Sequence, residues 1–102
     1  ISCNSCHRTD AFGVDGEKFS LGFDNHRTGR NSPTSFNAFL HVAQFWDGRA
    51  PTVEEQAKGP ILAGGEMAMP SAEAVVEKLG KIEGYEALFQ KAFPKRFILQ
   101  GH

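Results

Sequence analysis

The chain has 102 residues, 40% hydrophobic and 23% charged, which fits one small globular domain and excludes a disordered polar tract. Eleven Lys and Arg stand against twelve Asp and Glu, a formal charge of −1, so the basic excess of a nucleic-acid binder or a polybasic membrane anchor is missing. No apolar run reaches the ~20 residues that a membrane-spanning helix needs.

The first predicted element is one helical turn over 4–7, inside Cys3-Asn4-Ser5-Cys6-His7. Residues 8–34 read as irregular, because Gly13, Gly16, Gly22 and Gly29 interrupt any long helix. Weak alternation over 18–23 predicts a short strand. An apolar stripe of Phe36, Phe39, Leu40, Ala43 and Phe45 predicts a helix over 35–45, ended by Asp47-Gly48. Thr52-Val53-Glu54-Glu55 has the pattern of a capping box and starts a helix that runs to about residue 62, where Gly64-Gly65 stops it. Ser71 caps a helix over 72–79, and Gly80 ends it. The last helix covers 83–93, with Tyr85, Leu88, Phe89 and Phe93 on one face and Pro94 after it. The fold class is mostly α: a cytochrome c-like domain with a long glycine-rich loop, read as a piece excised from a longer protein.

Both cysteines fall in the first six residues. A Cys3–Cys6 disulfide would close a tiny loop and add little stability, so the pair points to chemistry. Cys-x-x-Cys-His suits covalent haem: two thiols a turn apart each add across one vinyl group, and His7 becomes an axial ligand of the iron. Nine Phe in so short a chain suggest that something flat and apolar completes the core. Two rivals stay open on these residues. A zinc half-site would draw its second pair of ligands from His26, His41 and His102, and a redox dithiol would need a strand and a βαβ unit beside it.

Five blocks occur in order: Cys3-Asn4-Ser5-Cys6-His7; Gly29-Arg30-Asn31-Ser32-Pro33-Thr34; Gln44-Phe45-Trp46-Asp47-Gly48-Arg49-Ala50; Glu54-Glu55-Gln56-Ala57-Lys58-Gly59-Pro60-Ile61; and Glu66-Met67 with Met69-Pro70. Together they resemble the bacterial dihaem cytochrome c peroxidase family, which includes the MauG-like enzymes, over about residues 1–93. The resemblance is to the N-terminal domain, which holds the low-potential, peroxidatic haem c. It implies a domain over 1–93 and, over 94–102, the start of a linker toward a second haem domain. It implies hydrogen peroxide as substrate, a small cytochrome c or cupredoxin as electron donor, a periplasmic location and a homodimer at full length.

Residue by residue, the resemblance implies Cys3 and Cys6 as thioether cysteines and His7 as proximal ligand. It implies Glu66 as the distal proton carrier, Gln56 in the same pocket, Trp46 on the electron path and Asn31 at an interdomain calcium site. His26, on the loop after the haem motif, is the candidate sixth ligand, released to open the iron; Gly22 and Gly29 flank it. Each residue also has an ordinary reading: a solvated Glu66, a core Trp46, a surface Gln56, a turn-forming Asn31. His41 has no expected role, and Met67 and Met69 line a pocket. The alternative function is a monohaem electron carrier with Met69 as sixth ligand. MauG-like chemistry with a tyrosine ligand is disfavoured, because Tyr85 is the one tyrosine and lies in the last helix.

Overall fold

The computed structural model describes residues 1–95. The linker expected over 94–102 and the terminal His102 thus fall largely outside the described residues. The chain divides into two compact units, Ile1–Ala68 and Met69–His102.

The first unit begins with α1, Cys3–Cys6, a single turn. It closes through His7 N–H donating to Cys3 O at 2.9 Å. The Asn4 side chain secures its exit by accepting from Thr9 N–H at 3.0 Å. No further α-helix occurs until α2, Val53–Leu62. The intervening chain is organised by three isolated antiparallel bridges, Arg8–Val14, Leu21–Arg27 and Gln44–Ala50, each joining residues six apart. Each bridge pinches a loop at its neck, so the backbone folds on local hydrogen bonds without a sheet. The strand expected over 18–23 is thus reduced to one bridge at Leu21.

The helix expected over 35–45 does not form. Only a 3₁₀ turn, Ala38–Leu40, interrupts that stretch. Asn37 (φ 59°) and Phe45 (φ 66°) adopt left-handed backbone, which no α-helix tolerates. His41, placed by that expectation on a helix, instead follows the 3₁₀ turn and is exposed. The Phe45 ring explains much of the difference. The Arg49 guanidinium lies 3.4 Å from its centroid, a cation–π contact. On α2, a Cβ at Gly59 would come within 3.3 Å of the ring edge. Contacts with residues beyond the stripe, Arg49 and Gly59, therefore outweigh its helical pattern.

α2 starts as expected. Thr52 Oγ1 accepts from Glu55 N–H at 3.2 Å, satisfying one of the free amides of the first turn. The reciprocal half of the box is not used, because Glu55 Oε1 pairs with Lys58 Nζ at 2.9 Å. Pro60 sits in the last turn of α2, and its carbonyl accepts from Met67 N–H at 3.1 Å. The segment after α2 is thus folded back onto it.

The second unit is a helical pair, α3 (Ala72–Gly80) and α4 (Tyr85–Ala92), packed against each other. Ser71 Oγ accepts from Ala74 N–H at 3.1 Å and caps α3. Gly84, at φ 98°, takes a backbone turn that favours glycine. α4 carries the expected apolar face, and Tyr85, Leu88, Phe89, Ala92 and Phe93 line a cavity of about 240 Å³. Helices are the regular elements of both units among the described residues, and none is long and apolar enough to cross a membrane.

Candidate haem site

The site begins at α1. One helical turn sets Cys3 exposed and Cys6 half-buried, both as free thiols. His7 is half-buried directly after them. Its Nδ1 lies 3.0 Å from the carbonyl oxygen of Gly13. A carbonyl only accepts, so Nδ1 is the protonated nitrogen and the lone pair remains on Nε2. That is the tautomer a metal-binding imidazole needs. Gly13 is held at φ 77°, and a Cβ there would come within 2.8 Å of Ser35 N. The acceptor of the histidine is thereby fixed in place.

The loop that carries His26 touches the motif from one side: Cys6 Sγ lies 4.0 Å from Leu21 O. The loop closes through Gly22 N–H to His26 O at 2.8 Å. Asp24 and Asn25, at φ 57° and 58°, form its tip. His26 is exposed, with Nε2 3.7 Å from Asp24 Oδ2.

From the other side the loop meets Glu66. Phe23 N–H donates to Glu66 O at 2.7 Å. A Cβ on Gly22 would lie 1.8 Å from Gly65 O, so the two backbones meet where only glycine fits. Glu66 is half-buried, and its N–H donates to Ala63 O at 3.0 Å just past α2. The structure thus brings the haem motif, the His26 loop and the Glu66 segment together. Gln56 lies half-buried on α2, the helix that leads into this segment.

Trp46 and Asn31 form a second group. The Trp46 indole N–H donates to Asn31 O at 2.8 Å, while the ring is 64% exposed. Asn31 Nδ2 donates to Glu17 O and Lys18 O at 2.8 and 3.2 Å. Beside them, Asp47 pairs with Arg49 at 2.9 Å and Arg30 at 3.2 Å. The hydrogen bond from Arg49 is the main force holding the Asp47 carboxyl below the usual carboxylate range, and Arg30 adds to it. Among the described residues no three His, Cys, Asp or Glu side chains are placed to hold a metal ion.

The residues present fit a covalently attached haem. Two free thiols and a histidine with its Nδ1 already bonded stand on one turn. Ala50, at 7% exposure, is the buried apolar side chain of the described residues. Phe12, Phe19, Phe23, Phe36, Phe39 and Leu40 are meanwhile exposed. An apolar planar group has ample surface to cover here. Gly13 and Ser32, which surround His7, had no role assigned from the sequence: Ser32 stands inside the second block, but neither a glycine nor a serine in a polar loop signals a partner for a histidine.

The model of one protein family, described as di-haem cytochrome c peroxidase, matches residues 1–101. The chain belongs to that family. Cytochrome c551 peroxidase of Pseudomonas aeruginosa is 47% identical over 95 residues, covering 93% of this chain and 27% of the relative. Cytochrome c peroxidase Ccp of Escherichia coli is 43% identical over 97 residues, covering 95% of this chain and 21% of the relative. Methylamine utilization protein MauG of Methylophilus methylotrophus is 40% identical over 100 residues, covering 98% and 30%. The crystal structure of the diheme peroxidase BthA from Burkholderia thailandensis superposes with a TM-score of 0.75 at 28% identity, covering 91% of this chain and 27% of that one. This di-haem peroxidase family member therefore spans between a fifth and a third of the length of these relatives. The family implies haem as its cofactor.

Proposed function

We propose that this chain is the part of a periplasmic di-haem peroxidase that holds the haem at which hydrogen peroxide is reduced to water. Electrons arrive from a second haem domain of the same protein, itself supplied by a small cytochrome c or a cupredoxin. The observation that carries this reading is the Phe23–Glu66 hydrogen bond of 2.7 Å, which joins the loop of the candidate sixth ligand to the segment of the candidate proton carrier. An electron carrier needs neither a releasable ligand nor a carboxylate beside it.

Cys3 and Cys6 hold the haem. Each thiol would add across one vinyl group, sulfur to one carbon and hydrogen to its neighbour. His7 would hold the iron through Nε2, because Gly13 O occupies Nδ1–H. When bound, the haem supplies an iron centre able to pass electrons to an oxygen–oxygen bond. His26 would supply a further ligand to the iron in the resting form, and movement of its loop would make room for peroxide. Glu66 takes a proton from one peroxide oxygen and gives it to the other, so that peroxide, two electrons and two protons leave as two waters. Gln56 orients the peroxide, and Trp46 lies on the path of the incoming electrons. Asn31 contributes to a calcium site whose other ligands lie outside this chain, and the full-length protein is a homodimer.

The test uses the full-length natural protein from a bacterial host that matures c-type cytochromes. Denatured in alkaline pyridine, it gives a c-type haemochrome. With reduced donor it consumes peroxide, and Glu66→Gln lowers turnover about 10²- to 10⁴-fold, the usual worth of a general acid–base group, without changing the haemochrome. A colourless product overturns the reading. A His–Met iron with no affinity for peroxide or cyanide replaces it with the carrier that uses Met69.

A further inference from the structure

Ser32 is 8% exposed, unusual for a serine in a loop. Its Oγ donates to Cys6 O at 2.9 Å and lies 3.2 Å from His7 Nδ1, 25 residues away in sequence. A hydroxyl has one proton to give. Cys6 O can only accept, so the proton of Ser32 is committed there. The oxygen lone pairs are then what His7 Nδ1 meets. Its other neighbour, Gly13 O at 3.0 Å, is also an acceptor. The Nδ1 proton is therefore shared between two oxygens, and Nε2 is left as the donor atom. Through one side chain, position 32 ties down the last carbonyl of α1 and braces the ring that follows it.

We propose that Ser32 is a positioning residue for His7, setting its tautomer, its ring orientation and the electron donation of Nε2. This rests on the reading that His7 is the axial ligand. Oxygen acceptors at Nδ1–H push electron density into the ring and make Nε2 the stronger donor. Loss of one acceptor weakens that donation, and loss of the clamp frees Cys6 O.

The experiment compares Ser32→Ala, Ser32→Gly and Ser32→Thr in the haem-loaded full-length protein. Resonance Raman of the reduced protein reads the iron–histidine stretch, and a redox titration reads the midpoint potential. The band that disappears in His7→Gly belongs to this haem. Ser32→Ala moves that band to lower frequency and raises the potential, and Ser32→Thr, which keeps the hydroxyl, restores both. Unchanged values in Ser32→Ala, or a threonine variant displaced as far as the alanine one, overturn the proposal. If neither alanine nor glycine yields folded haem protein, Ser32 is merely structural and the proposal is equally overturned. A wild-type protein with c-type haem whose haem absorption spectrum is the same in His7→Gly rejects the axial-ligand reading instead.

Discussion

Gly22 shows how one residue joins two parts of the site. Its missing Cβ is what lets the His26 loop lie on the Glu66 segment, since that atom would stand 1.8 Å from Gly65 O. Backbone cannot rotate aside as a long side chain can. Gly22→Ala must therefore push the two segments apart, at a cost of at least about 1–3 kcal/mol, the range for overpacking. Amide exchange at Phe23 reads the separation directly, because its N–H is bonded to Glu66 O at 2.7 Å. It exchanges faster in Gly22→Ala, and unaltered protection there would mean the contact is dispensable. None of this was legible in the sequence. Gly22 read as a loop breaker and a source of mobility, because a requirement for glycine that comes from a backbone more than 40 residues away has no local signature. Glu66 was legible as a candidate only through the ordered blocks, with a solvated loop residue as its ordinary reading, and His26 only through its place on the loop after the haem motif.

Helices repeat the lesson one level up. Where an element is set by neighbours in the chain, the sequence was enough: Thr52 and Ser71 cap α2 and α3, and Pro94 follows α4. Where tertiary contacts decide, it was not. The stripe over 35–45 has helical spacing, yet Asn37 and Phe45 turn left-handed and the Phe45 ring goes to Arg49 and Gly59. The cap of α2 is also a test of how much such local bonds contribute. Thr52 Oγ1 satisfies one amide, and Glu55 does not reciprocate. Thr52→Ala therefore costs about 1 kcal/mol of stability, the value of a single cap, measurable as a shift in the denaturation midpoint. Thr52→Ser keeps the oxygen and restores the midpoint, whereas an equal loss in both variants would assign the effect to the methyl group instead.

At the scale of the whole molecule, the first unit has the backbone of a folded domain without the apolar interior of one. Its bridges and turns close loops, and each closure costs chain entropy. That cost is ordinarily offset by burying side chains, at about 1.5–3 kcal/mol for each large apolar residue. Among the described residues the side chains available for this, Phe12, Phe19, Phe23, Phe36 and Phe39, are exposed. The missing stabilisation has to come from a surface they can all face, and a haem held by the thiols of Cys3 and Cys6, as proposed, would stand beside them. Cofactor attachment and folding of residues 1–68 should then be a single event, as they are where a bound group supplies the core. Cys3→Ser with Cys6→Ser, expressed in the full-length protein in the same maturing host, separates the two. The amides of Phe23, Thr28 and Gln44, bonded at 2.7, 2.9 and 2.8 Å, are protected from hydrogen exchange in the haem-loaded protein. They exchange at least tenfold faster in the double variant, a loss of about 1.4 kcal/mol or more in local opening free energy. Full protection in a colourless double variant would show that the loops hold themselves, and the exposed phenylalanines would then need another partner.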